Sequence, residues 1–113
     1  LETLFRTYNI DGLRVMPVAG DVDIEHADLL EAAILADDAD TLVLDLSNLR
    51  YLDSMTLAVL VRQRRRLGPR LHIVLPLAAK ARRIFEIAGL IDALGVQPSL
   101  RDVRLLLGAG IEL

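Results

Sequence analysis

Residues 41–67 read TLVLDLSNLRYLDSMTLAVLVRQRRRL, and the way this stretch divides decides the fold. Thr41-Leu42-Val43-Leu44-Asp45-Leu46 is a nearly continuous apolar run with β-branched members, which is how a strand covered on both faces reads. Residues 47–52 follow as a connecting loop. Asp53 or Ser54 then supplies an N-cap for a helix from about Ser54 to Leu67, which Gly68-Pro69 stops. A covered strand that leads into a helix implies a parallel sheet with helical crossovers.

The rest of the chain extends that pattern. Residues 4–8 and 13–19 read as a hairpin around Asp11-Gly12, with Pro17 implying an edge position or a bulge. Gly20-Asp21-Val22-Asp23 breaks the second strand. Apolar residues at 27, 30, 33 and 34 predict a helix over 24–36, ended by the acidic Asp37-Asp38-Ala39-Asp40. Residues 71–75 form a third buried strand, closed by Pro76. A helix over 79–88 stops at Gly89, and Val96 marks a short last strand. Ser99 caps a final helix through Leu107, with Asp102 completing an approximate capping box. The fold class is α/β: one domain over 1–113, a mostly parallel open sheet, an N-terminal antiparallel hairpin and about four helices.

Composition narrows the function. The chain has 113 residues, 53% hydrophobic and 26% charged, which suits one globular core; aromatics are only 4%, so that core is aliphatic. A net charge of −3 disfavours nucleic acid and anionic membranes as partners. Cysteine is absent, which removes disulfides, thiol nucleophiles and thiolate metal sites and fits a cytoplasmic location. Apolar runs reach about five residues, too short for direct membrane insertion. The chain lacks an initiating Met, so it is expected to be a processed or trimmed product.

Catalytic and metal chemistry find little support. His72 sits in an apolar strand, where a hydrogen-bonded core or edge histidine is expected, and His26 is expected to be solvated. Asp53, Ser54 and His72 could be written as a triad, but no nucleophile elbow accompanies them. Asp37, Asp38 and Asp40 lack the spacing of a calcium loop and read as a solvated loop. There is no glycine-rich phosphate loop. No cofactor, metal or catalytic residue is therefore expected. Arg62, Arg64, Arg65 and Arg66 read as a solvated helix end opposing the helix dipole, with a docking patch for an acidic partner as the alternative. The crowding of Asp53, Ser54 and Thr56 at one helix start, where unpaired N–H groups welcome an anion, exceeds what capping needs.

On these residues the chain resembles the STAS domains of the anti-sigma factor antagonists. Gly20-Asp21-Val22-Asp23 is similar to their Gly-Glu-Leu-Asp signature. Leu44-Asp45-Leu46-Ser47-Asn48-Leu49 with Leu52-Asp53-Ser54 is similar to their strand entering an Asp-Ser-(Ser or Thr)-Gly-Leu helix start. Ala88-Gly89-Leu90 is similar to the turn after their third helix. The resemblance implies a bacterial regulator of transcription, not an enzyme, that captures an anti-sigma factor of the serine/threonine kinase type and releases it when one hydroxyl at the helix start is phosphorylated. Phosphate there adds repulsion and desolvation cost, and a loss of about 3 kcal/mol weakens binding roughly a hundredfold.

Carried over residue by residue, the resemblance places Asp53 on the signature Asp, Ser54 on the first hydroxyl and Met55 on the acceptor itself. Thr56 falls where glycine is usual. A thioether accepts no phosphate, so the usual switch is absent. Transfer to Ser54 or Thr56 would turn the side chain by about 100°, which disfavours them as phosphate acceptors. Unswitched partner binding is preferred, with Met55 as an adaptable apolar contact. The expected docking face comprises Asp21, Asp23, Asp53, Ser54, Met55 and Thr56. Alternatives are a STAS scaffold or transport-associated subunit, or a nucleotide-binding module, and an apolar patch at Met55 would allow a homodimer.

Overall fold

Asp11 and Gly12 adopt successive positive φ angles of 51° and 82°, the pair a two-residue hairpin turn needs. They join β1 (Tyr8–Ile10) to β2 (Leu13–Pro17) in antiparallel register, Ile10 opposite Leu13. The computed structural model describes residues 5–108. The first strand is therefore later and shorter than residues 4–8, and Leu4 lies outside the described residues. Pro17 ends β2 rather than marking a bulge. Val18 N donates to Asp45 O on one side, so Pro17, one residue earlier, directs its nitrogen to the other side. There β1 already ends at the Tyr8–Val15 pair, and no hydrogen bond is lost.

Beyond the hairpin the sheet is parallel. β2 pairs with β4 (Leu42–Asp45), β4 with β6 (Leu71–Val74) and β6 with β7 (Val96–Gln97), giving the order β1-β2-β4-β6-β7. Two expected breaks prove to be strands. Residues 20–23, read as an interruption, supply β3 (Gly20–Val22), and residues 47–52, read as a loop, supply β5 (Leu49–Leu52). These pair in parallel as a separate two-stranded ladder, with an irregularity between Gly20 and Asp21. Gly20 has φ 75°, which turns the chain out of the main sheet and lets its N–H reach Asn48 O at 2.9 Å.

Helices α1 (Ile24–Ala36) and α2 (Ser54–Leu67) match the sequence reading. Helix α3 (Arg82–Ile87) is shorter than the expected 79–88, because turns precede it. Helix α4 (Leu100–Gly108) is capped by Ser99, whose Oγ accepts from Asp102 N and donates to Asp102 Oδ2. Strand alternation splits the core. Met16, Leu44, Leu71 and Ile73 face Leu30, Ile34, Leu60 and Phe85 of α1, α2 and α3. Leu13, Val15, Val43 and Val74 pack with Val103 of α4 on the opposite face.

Four polar expectations are corrected by packing. His72 is a core histidine, only 1% exposed, but neither ring nitrogen makes a well-formed hydrogen bond among the described residues, and the Pro69 carbonyl gives the ring only weak backbone support. Burial, and secondarily the Arg64 cation, depresses its basicity. Arg64 belongs to no solvated run: it is buried and its guanidinium donates to Leu71 O. His26 is half-buried, with Nδ1 3.2 Å from Asp23 Oδ1. Asp37 is largely buried, receives Ala39 N and lies 3.3 Å from Arg14 Nε, so the acidic cluster is anchored at one end.

Candidate functional site

The β3–β5 ladder brings the two signature segments together. Asp21 registers with Tyr51 and Val22 with Leu52, and Asp53 N donates to Val22 O at 3.3 Å. Each strand then runs directly into a helix whose first residue follows an aspartate cap. Asp23 receives Glu25 N at 3.0 Å for α1, and Asp53 receives Thr56 N at 2.9 Å for α2. The two helix starts therefore stand side by side. The Thr56 N–H, with smaller help from the Thr56 hydroxyl and the Ile24 N–H, holds the Asp53 carboxyl below the usual carboxylate range.

The expected site residues divide into two groups. Asp21, Ser54 and Met55 are exposed, and Asp23 and Asp53 are half-buried beside them. Asp21 is paired with Arg50 at 3.3 Å. Met55 is 52% exposed in the first turn of α2, a large apolar side chain in water. Thr56 lies apart from this surface. It is 1% exposed, and its Oγ1 lies 2.9 Å from Asp53 Oδ1 and 3.2 Å from Val22 O, sewing the start of α2 to β3.

Sequence reasoning missed Ile24, which opens α1 and is 64% exposed. It also missed a groove of about 500 Å³ lined by Ser54, Leu57, Ala58, Val61, Arg62 and Arg65 of α2 and by Leu90. The α2 members recur at helical spacing, so the stripe was readable from the sequence. Arg62 Nε and Nη2 each donate to Glu31 at 2.7 Å, and Gln63 Nε2 donates to the same carboxylate at 2.7 Å. Arg62 first, then Gln63, keeps the Glu31 carboxyl below its usual range.

Among the described residues no cluster of three or more His, Asp or Glu side chains could hold a metal, and no helix is long and apolar enough to cross a membrane.

A mixed sheet opened by an antiparallel hairpin, with four helices and two strand–cap–helix units abutted, defines a STAS-type α/β domain. The family described as "Mlab, STAS domain" matches residues 3–100. Among solved structures, the chain is similar to an anti-sigma factor antagonist from Mycobacterium paratuberculosis, with 31% sequence identity, 89% of this chain and 90% of that one covered, and a TM-score of 0.75. It is similar in fold to the anti-sigma factor antagonist SpoIIAA in its unphosphorylated form, with 18% identity, 96% and 99% of the two chains covered, and a TM-score of 0.69. Comparison with curated protein sequences gave no match. The chain belongs to the STAS domain family, where it stands with the anti-sigma factor antagonists.

Proposed function

We propose that this chain is a non-enzymatic, cytoplasmic regulatory domain that docks an anti-sigma factor on the paired helix starts, and that its docking is not switched by phosphate at the usual position. One observation carries the reading. Met55 stands exposed where the resemblance places the acceptor, while Thr56 beside it is buried with its hydroxyl engaged. An exposed thioether flanked by Ile24 offers adaptable apolar contact, and the Asp23 and Asp53 carboxylates border it. Ser54 is the one exposed hydroxyl among the residues of this helix start, and it points the family's chemistry one position away from its acceptor. The 31% identity to an anti-sigma factor antagonist supports the choice of partner.

The test is to mix the chain with anti-sigma factors of the kinase type, with and without ATP, and map modification by mass spectrometry. A complex that survives ATP with Ser54 and Thr56 unmodified is expected. Stoichiometric phosphate on either residue, with release of the partner, contradicts the reading. The family description "Mlab, STAS domain" favours a second reading, a scaffold or transport-associated subunit that uses the same face. Co-purification with an assembly other than an anti-sigma factor would select it.

A further inference from the structure

Helix α2 carries no acidic side chain, although the whole chain has a net charge of −3. Its outer stripe, Ser54, Leu57, Ala58, Val61, Arg62 and Arg65, forms the floor of the groove against Leu90. From Ser54 to Arg65 this stripe is about 16 Å long, three helical turns. Leu57, Val61 and Leu90 are rooted in the main core, so the apolar floor is rigid rather than a loose surface layer. Ala58 is exposed and small, which lets another backbone approach closely.

The charge in the groove is one-sided. The Arg62 guanidinium is fixed and compensated by Glu31 of α1. Arg66 Nε is turned to Gln63 Oε1 at 2.7 Å. Among the described residues no carboxylate lies within 4 Å of the Arg65 guanidinium, which lines the groove, so its charge faces whatever occupies the space. At the other end lies the start of α2, where the Asp53 cap carboxylate offsets the positive end of the helix dipole. An apolar trough whose charged lining side chains are both arginines fits an occupant that is apolar on one side and acidic on the margin that faces them.

We propose that this groove docks an acidic amphipathic helix of about three turns, supplied by the partner protein. The inference rests on α2 being the partner face, and it adds a second, adjoining site to the one at Met55. An anionic membrane is the weaker fit, since two arginines lining the groove, one of them paired with Glu31, fall short of the polybasic cluster that lipid adsorption needs.

The test is an NMR titration of the isotopically labelled chain with two synthetic helical peptides of about 14 residues. Both carry the same leucine stripe; one has glutamates on its margins and the other lysines. The glutamate peptide is expected to shift the amides of residues 54–65 and Leu90 and to bind at least about tenfold more tightly than the lysine peptide. Arg65→Glu should weaken it about tenfold, and the neutral Ala58→Gln, which fills the groove, should weaken it comparably. Unchanged thermal melting of both variants separates lost binding from lost folding. Equal affinity for the two peptides, shifts centred elsewhere, indifference to Ala58→Gln, or binding to phosphatidylglycerol vesicles in place of the peptide would each overturn the proposal. Binding of the glutamate peptide by a chain that captures no anti-sigma factor supports the groove and removes only the partner proposed above.

Discussion

On the inner side of α2, Thr56, Val59, Leu60, Gln63 and Arg64 are buried; on the outer side, Ser54, Met55, Ala58, Arg62 and Arg65 stand in water. Both sets include hydroxyl and guanidinium groups, so residue type does not separate them. Helical phase does. The inner Thr56 and Arg64 spend their donors on Val22 O and Leu71 O, binding α2 to β3 and β6. The outer Ser54 and Arg65 leave theirs toward solvent. Stability and recognition are thus assigned to opposite sides of one helix, and substitutions on either side should affect one property with little effect on the other.

The largest effect belongs to the inner side. Leu60→Ala empties a fully buried position and should cost about 2–5 kcal/mol, read as a lower urea midpoint at unchanged slope. Thr56→Val keeps the shape and removes the hydroxyl, which takes one donor from the Asp53 carboxylate and Val22 O and leaves Val22 O with the Asp53 N–H alone. A loss of about 1–2 kcal/mol is expected. Indifference to this change would break the comparison, because Thr56 would then be as dispensable as a surface residue.

Acid sharpens the same contrast. His72 lies beside Arg64 beneath α2, and its basicity in the fold is depressed below the ordinary value of 6.5 by burial and then by that cation. The unfolded chain takes up the proton first as pH falls, so the stability from keeping His72 neutral is whole above about pH 6.5. It declines as pH drops from there toward the folded value. Urea midpoints measured from about pH 7 to about pH 5 should fall, and less steeply in His72→Leu. A parallel fall in both proteins would assign the acid response to other groups. The smallest effects belong outside: Ser54→Ala and Met55→Leu should each change stability by less than about 0.5 kcal/mol in the same urea assay.

The sequence disclosed long elements and concealed short ones. Helix α2 was legible at both ends, because Asp53 caps it and Gly68, at φ 57°, ends it. Strands β3 and β5 were not. Gly20-Asp21 and Ser47-Asn48 are turn formers, and ladders of three and four residues are too short to show a period. Yet that ladder is what sets the two helix starts side by side. The candidate site was readable as a set of residues, and its inner and outer members were separable by counting 56, 59, 60 and 63 as one face. The poor hydrogen bonding of the His72 ring, by contrast, depends on which polar groups the packing brings near it, and no local pattern carries that.

The central claim is that partner docking occurs on the exposed start of α2. Its most direct test is calorimetric titration of an anti-sigma factor into the chain and into Met55→Glu, a change that adds charge at a site half open to solvent. Binding at least about a hundredfold weaker is expected, with thermal melting unchanged, because a carboxylate would be desolvated at the contact. Equal affinity of the two proteins for that partner would contradict it.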